Sequence, residues 1–198
     1  MSPQTRNNLI LFCILGVLFF SPLGNFIREK VASWSTPISK FMLSAPNLSQ
    51  MDFEYRNRKG AYVLNWNVKD VHNQTIDLNS LKGHVIFLTF WDYSNTSSKA
   101  ILPYIQNLYS NYKHNDQIVF LTISQNSNLK ASLEFIQNEH YTFPIYTTKK
   151  TDPNLKTDST PTTILINKKG ELVYMSTGAK KWDDQKVKIA LNILINQE

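Results

Sequence analysis

The sequence predicts an α/β domain with a central mixed β-sheet flanked by helices. An apolar segment and a polar connection precede it. Three observations carry the prediction. Val85 to Phe90 and Ile118 to Ser124 are apolar runs of strand length, as in strands buried on both faces. Each is followed by apolar groups at helical spacing: Ile101, Tyr104 or Ile105, Leu108 and Tyr112 after the first, Leu129, Leu133, Phe135 and Ile136 after the second. Near the end, Thr162 to Asn167 and Glu171 to Met175 are joined by Lys168-Lys169-Gly170, a hairpin signal.

In chain order, Met1 to Asn8 is polar, with Arg6. Leu9 to Phe20 is apolar apart from Gly16, and Ser21-Pro22-Leu23-Gly24 follows. That run is about 12 residues, short for a span of about 20, and its length fits a signal-peptide core. Adding Leu23, Phe26 and Ile27 gives an uncleaved, proline-kinked anchor, which is favoured because Gly24 is a weak cleavage site. A buried helix of the domain fits less well, since the run is apolar on every face. Residues 1–27 are therefore expected to be a membrane anchor or signal-like segment, entering the membrane from Leu9 to Ile27. Residues 28–61 are expected to be a stalk and linker. Ile27, Val31, Trp34, Ile38 and Met42 alternate there with Arg28, Lys30 and Lys40, and a polar stretch follows.

The domain is placed at 62–198. Val63 to Val71 and Gln74 to Leu78 flank His72-Asn73, a second hairpin signal. Ser80-Leu81-Lys82-Gly83 turns into the central strand. Pro103 sits inside the first helical pattern and removes a hydrogen bond to the Lys99 carbonyl. Ser127 is a candidate cap for the second helix, which ends near His140. Phe143 to Thr147 is strand-like, with Pro144 placing it at an edge or a strand start. Asp183 and Asp184 suit a helix start, and Val187, Ala190, Leu191 and Leu194 form one face. The order β-β-β-α-β-α-β-β-α gives a mixed sheet with helices on both faces.

The central segment runs Phe90-Trp91-Asp92-Tyr93-Ser94-Asn95-Thr96-Ser97-Ser98, then Pro103. It resembles the active-site segment of the thioredoxin superfamily, in particular the membrane-tethered TlpA-like thiol–disulfide oxidoreductases (redoxins). That family carries Phe-Trp, three residues, Cys-Pro-Pro-Cys and a later proline. Counted from Trp91, the two cysteine positions fall on Asn95 and Ser98. Ser159-Thr160-Pro161 resembles the cis-proline turn that faces this segment, and Thr177 to Trp182 with its helix resembles the family's C-terminus. The resemblance spans about Tyr62 to the end and implies a thioredoxin-like fold. It also implies a groove for an extended peptide at Trp91, Asn95, Thr160 and Pro161, and a membrane-anchored domain in the bacterial periplasm.

Thiol–disulfide exchange needs an attacking thiolate and a second sulfur. Asn95 offers an amide and Ser98 a hydroxyl that stays protonated without a strong base. Cys13, the one cysteine, lies in the apolar segment, so no intramolecular disulfide can form. Asn95 is a strong helix cap, and the turn is then either an ordinary capped helix or a groove that binds without covalent capture.

Other chemistries lack their residue patterns. Ser94, Ser97 and Ser98 have no nucleophile elbow. His72, His84, His114 and His140 are scattered, so no metal site is expected. Six ungrouped glycines make no phosphate loop, and no cofactor is expected. The net charge of +6 is spread over interleaved lysines and acids, and nucleic-acid binding has no motif. Asp92 beside Trp91 is either a buried carboxylate with a raised pKa or an exposed turn residue. The expected function is a membrane-anchored, redox-inactive protein- or peptide-binding module of the cell envelope. The alternatives are a thiol–disulfide oxidoreductase by inheritance and a purely structural subunit of an envelope complex.

Overall fold

The structure is a computed structural model. It describes residues 43–48 and 62–197, except Ser127, Asn154, Lys156 and Thr157. The expected anchor at 1–27 and most of the stalk lie outside the described residues. Within 43–48, Pro46 is buried, Leu43 and Leu48 pack on the core, and Ser44 O accepts the Lys181 N–H at 3.0 Å.

A short hairpin opens the domain, β1 (Asn67–Lys69) against β2 (Thr75–Asp77). Its turn is set by Asp70, whose Oδ1 accepts the N–H groups of His72 (2.9 Å) and Gln74 (2.8 Å). Both strands are shorter than the apolar pattern predicts. A single helical turn, Leu78–Leu81, leads to β3 (Val85–Trp91). Then follow α1 (Thr96–Tyr112), β4 (Ile118–Ser124), α2 (Leu129–Asn138), β5 (Ile145–Tyr146), β6 (Thr162–Ile166), β7 (Leu172–Thr177) and α3 (Gln185–Asn196). Helix α1 continues through Pro103. The cap of α2 is Asn128, whose side chain accepts the Ala131 N–H, and the expected cap Ser127 lies outside the described residues.

The main sheet has the order β5-β4-β3-β6-β7. β3 pairs parallel with β4 and antiparallel with β6, so the sheet is mixed as predicted. The 143–147 stretch narrows to β5 and takes the edge, where Pro144 costs no ladder bond. The first hairpin does not join this sheet. It forms its own, tied to the main one by the Lys69–Thr147 bridge.

One expectation is corrected. Helices were placed on both faces, but the buried side chains of α1, α2 and α3 all belong to one core cluster, with Phe87 and Trp91. The reason is topological. The crossovers β3-α1-β4 and β4-α2-β5 step the same way across the sheet, and right-handed crossovers in one direction put their helices on one face. The opposite face carries Ile86, Leu88, Phe90, Ile164 and Ile166 and is covered by Val63, Leu64, Trp66, Val68 and Leu78. The β6–β7 turn fixes that cover. Gly170 has φ +81°, and a Cβ there would fall 2.5 Å from Tyr62 Cε2.

Candidate functional site

The site grows out of the end of β3. Its last residue, Trp91, has no exposed surface and packs near Phe135 at 6.4 Å between ring centroids. Chain order after a parallel strand leads from Trp91 into a turn and then α1. The Trp91 carbonyl accepts the N–H of Gln125, which follows the neighbouring strand β4, at 2.9 Å.

Asp92 organises the turn. Its Oδ1 accepts the Ser94 N–H (2.8 Å), the Ser94 hydroxyl (2.8 Å) and the Asn126 amide (3.1 Å). Partial burial by itself would raise this carboxyl. The Ser94 bonds, the Asn126 amide and the Lys99 charge outweigh it, and the carboxyl sits below its ordinary range. The raised pKa considered for a buried Asp92 is therefore overturned. The residue is half-buried and held as the anion.

Asn95 follows in extended backbone, φ −90° and ψ 122°, as a helix cap requires. Its Oδ1 accepts the Ser98 N–H at 2.9 Å, and its carbonyl accepts the Lys99 N–H at 3.0 Å. Ser98 is fully buried, and its hydroxyl accepts the Asp92 N–H at 3.2 Å. Both positions aligned with the family's cysteines thus close the N-terminus of α1 onto the turn before it.

The second half of the site comes from the loop before β6. The β3–β6 ladder ends at Phe90↔Thr162, and Trp91 and Pro161 are the next residues of the two segments. The Thr160–Pro161 peptide is cis. Pro161 is buried, its carbonyl takes the Gly178 N–H at 2.8 Å, and the Thr162 hydroxyl donates to Ser159 O at 2.6 Å. Thr160 is half-buried and makes no hydrogen bond to another described residue. The four residues predicted to form a groove therefore lie at one end of the β3–β6 pair. Asn95 and Thr160 are partly exposed, and Trp91 and Pro161 are buried.

Two sets of contacts were not legible in advance. Asn126 anchors Asp92, and Tyr93 and Phe135 form a half-exposed aromatic pair at 6.5 Å, with Lys99 Nζ 5.6 Å from the Phe135 ring. Asn126 had one available signal: in parallel sheets, residues just past adjacent strand ends meet at the site. No group of His, Cys, Asp and Glu able to hold a metal exists among the described residues, and none of their helices is long and apolar enough to cross a membrane.

Comparison with known proteins gives a consistent picture. A family model described as Thioredoxin-like matches residues 83–172. The chain is 28% identical over 123 residues to the thiol-disulfide oxidoreductase ResA of Halalkalibacterium halodurans, covering 61% of this chain and 69% of that one. It is 27% identical over 122 residues to ResA of Bacillus subtilis, covering 61% and 68%. Among solved structures it resembles a thiol:disulfide interchange protein of the thioredoxin family from Chlorobium tepidum TLS. There the TM-score is 0.55 at 16% identity, over 69% of this chain and 96% of the other. A DsbF homologue from Corynebacterium diphtheriae gives 0.57 at 16%, over 68% and 88%. These last two speak for the fold alone. Residues 83–172 thus match a thioredoxin-like domain, the chain is similar to ResA-type thiol–disulfide oxidoreductases, and the matched segment contains no cysteine.

Proposed function

We propose that this protein is a redox-inactive thioredoxin-fold module that binds an extended polypeptide non-covalently at the end of β3 and β6. The supporting observation is the replacement of sulfur by capping chemistry. Asn95 and Ser98 spend their polar groups on α1 and on Asp92, and Cys13 is the one cysteine of the chain. Without a thiolate no mixed disulfide forms, so affinity rests on backbone pairing and side-chain contact. Thr160 has no backbone hydrogen bond to another described residue and is the segment offered for that pairing. The apolar stretch Leu9 to Ile27 anchors the module in the inner membrane of a bacterial envelope, with the domain in the periplasm.

Two measurements test this reading. The full chain in an insulin-reduction assay stays at the uncatalysed rate. A photo-crosslinker at position 95 traps a polypeptide, and Thr160→Trp abolishes the capture. Turnover of insulin sinks the redox-inactive reading, and capture that persists in Thr160→Trp sinks the groove.

A further inference from the structure

A cleft of about 620 Å³ opens between the β1–β2 hairpin and the loop 148–153. It is independent of the peptide groove. Its aromatic wall is Trp66, which packs in the core cluster on the face away from the helices and stacks on Phe90 at 6.2 Å. The Trp66 indole N–H is already given to Val63 O at 2.8 Å.

Three cations line this space: Lys69 from β1, and Lys149 and Lys150 from the loop. Lys149 and Lys150 are exposed and Lys69 is half-buried. The two segments that carry them are fixed to one another. Lys69 and Thr147 exchange backbone hydrogen bonds, both 2.8 Å. Thr148 Oγ1 lies 3.0 Å from Asn67 O and 2.8 Å from Lys150 O, and accepts the Lys150 N–H at 3.3 Å. Lys69 Nζ donates to Asn73 Oδ1 at 2.8 Å. Asp152, the acid of the lining, is buried and has a partner.

Like charges held around one cavity repel, and a multiply charged anion between them removes that repulsion while gaining charge-assisted hydrogen bonds. Cavities of about 300–1,000 Å³ suit small molecules. We propose that this cleft binds a small, multiply charged anion, phosphate or carboxylate in chemistry, through Lys69, Lys149 and Lys150, with its remaining surface against Trp66.

The test titrates the full chain with inorganic pyrophosphate and, separately, with citrate, read by calorimetry and by amide chemical shifts. Saturable one-site binding of either is expected, with Asn65, Asn67, Lys69 and Thr148 to Lys150 shifting together. The stronger of the two names the chemistry. Lys149→Gln with Lys150→Gln should weaken binding by about tenfold per lysine, and arginine at both positions should restore it. Lys69→Gln, read separately, should act in the same direction, and Lys130→Gln on α2 should change nothing. The absence of saturation, shifts scattered over other surface lysines, or full affinity in the lysine variants would overturn the proposal.

Discussion

Asn95 Oδ1 accepts the Ser98 N–H at 2.9 Å, so the two positions that the sequence resemblance sets against the family's cysteines are joined by a capping hydrogen bond. The first turn of α1 is complete without a ligand. Removing the cap should therefore be felt as stability. Asn95→Ala is expected to cost about 1 kcal/mol, and Asn95→Asp to cost little, in denaturant unfolding. Equal stability of the alanine variant would mean the cap contributes nothing.

Restoring the sulfurs should restore the chemistry. Asn95→Cys with Ser98→Cys places two thiols across the first turn of α1, at the helix N-terminus that favours a thiolate. Under mild oxidant the pair should close, seen as loss of two titratable thiols relative to the reduced double variant. A pair that stays reduced would show that the two side chains do not meet in this turn.

Asp92 should give the domain an acid dependence. Its carboxyl titrates below 3.8 when folded and near its ordinary value when unfolded. Its contribution is thus present above that ordinary value and is lost as pH falls through the folded pKa. A carbon-detected titration of Asp92 should show the depressed midpoint. Asn126→Ala should move it upward, since one of the bonds to the anion is gone. An unmoved midpoint would reject the Asn126 contact as a cause.

Tyr141 should act at the alkaline end. Burial, helped by the nearby Glu139, pushes its hydroxyl up to about 12. For a raised pKa the contribution is complete below the unfolded value of 10.0 and fades as pH climbs toward about 12. Ultraviolet absorbance of tyrosinate should show several late-titrating groups, because Tyr104, Tyr112, Tyr146 and Tyr174 are also raised, and one fewer of them in Tyr141→Phe.

The buried hydroxyls of Thr89 and Thr163 lie 3.0 Å apart across β3 and β6. Thr89→Val alone strands the Thr163 hydroxyl and should cost about 1–3 kcal/mol. Changing both to Val should recover most of that loss, because neither polar group remains. Additive losses in a double-mutant cycle would show that the two hydroxyls are not coupled.

Much of this architecture was legible because local signals were strong. The runs at 85–90 and 118–124 have no polar alternation, and they became the sheet's two central parallel strands. Asp184 at a helix start and Asn95 at the turn fulfilled their capping residue types. The misplaced layer was a different matter. Periodicity says that a helix exists, but the side of the sheet it covers follows from strand order, which no local window contains. The Asp92 environment was hidden for a similar reason, since Asn126 is 34 positions away in the chain.

The cover over Ile86, Leu88 and Phe90 comes mostly from residues that precede β3, and the family match begins only at residue 83. A fragment trimmed to that match would leave a broad greasy plane open to water. Such a plane invites aggregation rather than folding. Anyone producing the domain by itself must begin upstream of Tyr62. The piece by which relatives are detected is smaller than the piece able to stand alone.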